Sequence, residues 1–97
     1  MPKKGSRRVL VQGVAYRFMV RSEGPNRETL RITVEPEDYP GHVLIATFGA
    51  HLLSPVGGPQ VEQIIRYARR QGWAPNVMTN FALGDTAIQE MISASLA

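Results

Sequence analysis

Residues 8–21, RVLVQGVAYRFMVR, hold two alternating runs of apolar and polar side chains separated by Gln12-Gly13. A period of two marks half-buried strands, and a two-residue break containing glycine supplies the positive φ that a tight hairpin demands. Folding the stretch on that turn sets Val11 opposite Val14 and Val9 opposite Tyr16, on a face that continues through Phe18 and Val20. Ala15, Arg17, Met19 and Arg21 fall on the other face.

Outward from the hairpin, GPN at 24–26 marks a loop. Residues 29–35, TLRITVE, alternate again, with Leu30, Ile32 and Val34 on one side and Thr29, Arg31, Thr33 and Glu35 on the other. Joining the two apolar faces predicts Val20 opposite Leu30, Phe18 opposite Ile32 and Tyr16 opposite Val34. A slip of one residue would turn this apolar set to solvent. Proline and glycine make 36–41, PEDYPG, a turn, and 42–48, HVLIATF, is apolar on both faces as expected of a central strand. Four consecutive strands with one apolar face require a cover.

Residues 60–75, QVEQIIRYARRQGWAP, supply that cover. Val61, Ile64, Ile65 and Ala68 follow the i, i+3, i+4, i+7 spacing of a helix docked on a core. Glu62, Arg66, Arg69 and Arg70 fall on the far side. Pro59 suits a first helical turn, and Gly72 a left-handed ending after which Trp73 folds back onto Ala68 and Tyr67. Cations in the last turn complement the helix dipole, and Glu62 with Arg66 makes an i, i+4 pair. The arginine cluster therefore reads first as a solvated face with tuned termini. Beyond it, VMTNFAL at 77–83 returns as a fifth strand with Phe81 and Leu83 inward. GDTAIQEMISASLA then forms a short C-terminal helix capped by Asp85. The fold expected is α+β: an antiparallel meander of four to five strands, one helix on its apolar face, and that short helix.

The chain of 97 residues, 43% hydrophobic and 20% charged, suits one ordered domain, divided here into a loose basic arm at 1–8 and a body at 9–97. Eleven basic residues outnumber eight acidic ones, giving +3. Lys3, Lys4, Arg7 and Arg8 supply four of the positive charges, so the body alone carries −1. An arm of this kind binds nucleic acid by phosphate contact or merely aids solubility. The absence of cysteine excludes disulfides and thiolate sites. The apolar run at 9–11 is shorter than the roughly 7–15 residues of a secretory signal, and no stretch approaches the ~20 residues of a membrane span. The expected location is cytoplasmic.

Catalytic and metal-binding patterns are sparse. His42 and His51 lack zinc-ligand spacing. Glu35, Glu37, Asp38 and His42 surround one turn but lack a calcium-loop pattern, so an exposed acidic turn is the expectation. SPVGGPQ at 54–60 precedes a helix without the Gly-Lys-Ser/Thr of a phosphate loop. Arg17, Arg21 and Arg31 share the outer sheet face, where cross-strand ion pairs are expected. An RNA-binding sheet stacks bases on exposed aromatics, whereas Tyr16 and Phe18 face inward. The Ile88, Met91, Ile92 and Leu96 stripe on the last helix docks on its own domain or forms an interface with a partner.

The hairpin VLVQGVAYRFMVR, with VEQIIRYARRQGWAPN and FAL downstream, resembles small bacterial proteins of unknown function. These combine a V-x-G-x-x-Y-x-F/W-x-V hairpin with a helix ending in Gly-Trp-x-Pro. The resemblance implies an α+β fold and a bacterial origin, and no activity. The expectation from the sequence is thus a non-enzymatic protein-interaction module without cofactor or metal. Its partner is another protein or a second copy in a homodimer, not a membrane. The alternative is weak, sequence-indifferent nucleic-acid binding through Lys3, Lys4, Arg7, Arg8, Arg66, Arg69 and Arg70.

Overall fold

A computed structural model describes residues 6–77 and 80–96. Five strands and two helices follow one another as β1 (Arg7–Val11), β2 (Val14–Glu23), β3 (Thr29–Pro36), β4 (Val43–Gly49), α1 (Gly58–Arg70), β5 (Asn80–Leu83) and α2 (Asp85–Leu96). The strands form one sheet in sequence order, so the fold is α+β with a mostly antiparallel sheet. The β1–β2 hairpin has the expected register, Val11 opposite Val14 and Val9 opposite Tyr16. Both turn residues are left-handed, Gln12 at φ 52° and Gly13 at φ 81°, as a two-residue hairpin loop of primed type requires.

Three features depart from the sequence reading. First, β2 and β3 pair two residues away from the expected register: Phe18 faces Val34, Val20 faces Ile32 and Arg21 faces Arg31. A two-residue slip keeps every side chain on its face, so the apolar pattern alone does not distinguish the two registers. Val20, expected inward, is 39% exposed near the far end of β2. Second, β5 runs parallel to β4, with Leu44 beside Phe81 and Ala46 beside Leu83. The α1 crossover returns the chain to the end of the sheet where β4 begins, and a parallel partner needs such a connection. Third, Val77, expected in the fifth strand, closes a turn instead, its N–H donating to the Ala74 carbonyl at 3.0 Å.

One buried cluster joins Val11, Tyr16, Phe18, Ile32, Val34, Leu44 and Phe48 of the strands to Val61, Ile64, Ile65 and Ala68 of α1 and Ile88 and Met91 of α2. Helix α1 ends as its sequence dictates. Gly72 adopts φ 109°, its N–H donates to the Arg69 carbonyl at 3.2 Å, and the Trp73 N–H donates to the Ala68 carbonyl at 2.9 Å. These are the two bonds of a Schellman ending. The Trp73 backbone turns back as expected, while its ring packs against Tyr16, with centroids 5.9 Å apart. At the start of α2, Asp85 is a helical residue and not the cap. Its Oδ1 accepts the Gly49 N–H at 2.8 Å, pinning the helix start to the end of β4.

Candidate binding surfaces

The sheet has two unlike faces. Opposite the buried cluster lie Leu10, 59% exposed, and the half-exposed Ala15, Met19, Val43 and Ile45, interspersed with Arg8, Arg17, Arg21 and Arg31. Arg8 and Arg17 stand opposite each other and share one counter-ion: Glu37 Oε2 lies 3.2 Å from Arg8 Nε and 3.1 Å from Arg17 Nε. Arg21 and Arg31, also directly opposed, form no ion pair among the described residues. Together with Met19 and Thr33 they line an open depression of about 260 Å³. Arg8 and Arg17 thus find their counter-ion in the turn after β3 and not across the strands, and among the described residues Arg21 and Arg31 find none.

The acidic turn is divided among separate partners. Glu35 is buried, not exposed, and accepts the Gly41 N–H at 3.0 Å. Burial alone would raise its carboxyl, but hydrogen bonding, that of Gly41 included, holds it below the ordinary carboxylate value. Glu37 serves the two arginines. His42 Nδ1 lies 2.8 Å from the Pro75 carbonyl, to which it must act as donor, and its ring stacks on Tyr39. No group of three or more metal-ligating side chains converges among the described residues.

The α1 arginines gather at the hairpin tip, where Arg66, Arg69, Arg70 and Gln12 line a second open depression of about 310 Å³. Each has an intramolecular contact. Arg66 Nε meets Glu62 at 2.9 Å, Arg69 donates to Gln12 Oε1 at 3.2 Å, and Arg70 lies 6.0 Å from the Tyr67 ring centre. Beside Arg69 the Tyr16 hydroxyl is buried, as is the Trp73 indole N–H, and neither has a hydrogen-bond partner among the described residues. Burial raises the Tyr16 phenol above its ordinary value, and the Arg69 guanidinium beside it offsets part of the rise. Tyr67 is also raised, first by its hydrogen bond to Glu90 at 2.9 Å and then by burial.

The other residues singled out from the sequence lie apart. Arg7 and Arg8 belong to β1, which therefore overlaps the arm expected at 1–8, while Lys3 and Lys4 lie outside the described residues. Ile88 and Met91 are buried in the chain's own core, with Ile92 packed against it; the Leu96 side chain lies outside the described set. The inward-facing aromatics are placed as expected, Tyr16 at 0% and Phe18 at 1% exposure. The sequence places Arg21 and Arg31 on one face but not directly opposite each other, because only the observed register pairs them. Gln12 was visible there only as a turn residue. Among the described residues no helix is long and apolar enough to cross a membrane. No family model, curated protein or solved structure matches the chain, which leaves the likeness of its hairpin and Gly-Trp-x-Pro helix to small bacterial proteins as an expectation from sequence.

Proposed function

We propose that the protein is a non-catalytic cytoplasmic interaction module whose open sheet face binds an acidic protein surface. The observation that carries this reading is the composition of that face, where half-exposed Met19, Val43 and Ile45 and exposed Leu10 lie among four arginines. Mixed arginine and apolar surface of this kind is what interfaces enrich. The reading takes α1 as the cover of the opposite face. Its support is the shared burial of Val61, Ile64, Ile65 and Ala68 with Tyr16, Phe18, Ile32 and Val34. The shortest molecular dimension, 20 Å, leaves room for one sheet and one helical layer, since a helix with its side chains is about 10–12 Å across. Two copies meeting by this face would repel, so an acidic partner is favoured over a homodimer. Pull-down from a lysate, followed by the same experiment with Met19→Glu and Ile45→Glu, tests the reading. Loss of capture in both variants is expected. Undiminished capture, or sedimentation showing that the bound species is a second copy, would overturn it.

A second reading, nucleic-acid binding, has its own support in the convergence of Arg66, Arg69 and Arg70 on one depression. It requires an affinity for single-stranded oligonucleotide that falls steeply with salt and weakens in Arg69→Ala. A flat salt dependence ends it.

A further inference from the structure

Arg21 and Arg31 occupy directly opposed positions on β2 and β3, where opposite charges stabilise a sheet and like charges oppose it. Among the described residues no carboxylate forms an ion pair with either arginine. Glu23, the next residue on the same face of β2, makes no ion pair with either. Glu28 accepts the Asn26 N–H at 2.9 Å, and Glu37 stands at the other end of the face with Arg8 and Arg17. Thr33 and Met19, themselves directly opposed, complete the lining of the depression beside the two guanidinium groups. The arrangement thus offers two forked cationic donors and a hydroxyl donor, with a thioether wall.

We infer that this depression is a binding site for a dianionic tetrahedral oxyanion, a phosphomonoester. Two positive charges match its two negative charges. The guanidinium forks take oxygen pairs bidentately, and the Thr33 hydroxyl donates to a further oxygen. A carboxylate has one charge and two oxygens and leaves part of the site unmatched; a phosphodiester has a single charge. The inference rests on the sheet face being free, as the proposed function takes it, but needs no protein partner. Failure of the anion test therefore leaves the pull-down result standing, and the reverse.

The test is two-dimensional amide NMR at constant ionic strength, titrating inorganic phosphate, a phosphoserine peptide, acetate and a single-stranded oligonucleotide in turn. Saturable shifts are expected at residues 19–21 and 31–33 with phosphate and phosphopeptide, at least tenfold tighter than with acetate. Arg31→Ala and Arg21→Ala should each abolish saturation while keeping native shift dispersion, and Arg31→Lys should weaken it because the bidentate fork is lost. Generic stabilisation by phosphate as an excluded salt would persist in the variants and map to no site. Shifts that are linear, that lie elsewhere, or that survive both alanine variants overturn the inference. An oligonucleotide binding these amides more tightly than the phosphopeptide overturns it in favour of a nucleic-acid surface. Should one alanine variant fail to fold, the other and Arg31→Lys still decide the matter.

Discussion

The opposed arginines make a measurable prediction without any ligand. Directly opposed residues on antiparallel strands have Cβ atoms about 5 Å apart, and long side chains splay to roughly 7 Å. At that separation in water two unit charges repel by about 0.6 kcal/mol. Screening at about 0.15 M salt reduces this to near 0.25 kcal/mol, and at about 1 M to almost nothing. A double-mutant cycle of Arg21→Thr and Arg31→Thr, read by urea denaturation, isolates this pairwise energy, since the strand propensity that β-branched threonine adds at each site cancels in the cycle. At about 0.01 M salt the coupling should be unfavourable by roughly 0.5 kcal/mol, vanishing at high salt. Threonine at either position then makes the protein no less stable than the parent. The pairing expected from sequence, Arg21 opposite Thr29, would put the arginines on a diagonal about 7–8 Å apart and lower the coupling only slightly, so the cycle tests the charge pair and not the register. A coupling that is favourable, or unchanged by salt, would refute the argument for an anion site.

Three further outcomes follow from the packing. Gly72→Ala forces a side chain into φ 109° and should destabilise by about 1–2 kcal/mol in thermal or urea melts, whereas Gly58→Ala, at an ordinary helical position, should not. Trp73→Ala removes a ring only 2% exposed and packed on Tyr16, and should lower stability by about 3–5 kcal/mol by circular dichroism; a loss under 1 kcal/mol would mean the ring is not part of the core. Tyr16 and Tyr67 hold their protons to higher pH when folded than when unfolded. Their stabilisation is therefore complete below about pH 10 and is lost as pH rises through the folded values. Tyr67→Phe should flatten that alkaline decline, and stability rising across the same range would contradict the assignment.

How far the sequence carried the fold is clearest at the sites of error. The hairpin was legible because Gln12-Gly13 fixes both turn and register locally. The β2–β3 pairing was legible as to face but not position, because period-two alternation is blind to a two-residue shift. What sets it is the connecting loop, with Gly24 at φ 92°, Arg27 at φ 54° and the Arg27 N–H bonded to the Gly24 carbonyl at 3.2 Å. That the stripe of α1 is buried and that Gly72 ends the helix followed from spacing and glycine chemistry. The direction of β5 did not, because an apolar alternation of four residues reads the same in parallel and antiparallel pairs. Asp85 looked like a cap because capping is local, whereas its bond to Gly49 spans the fold. Arg21 and Arg31 were legible as sharing a face, but their direct opposition was not, because it depends on the long-range register.

We propose that this chain meets its partner through the exposed side of the sheet. Methyl NMR of the complex with whatever protein the module captures addresses it directly. Perturbed methyl signals are expected at Leu10, Met19, Val43 and Ile45, with Ile64 and Ile88 unmoved. Perturbation centred on Ile92 and the helices, with Met19 and Ile45 silent, would contradict it.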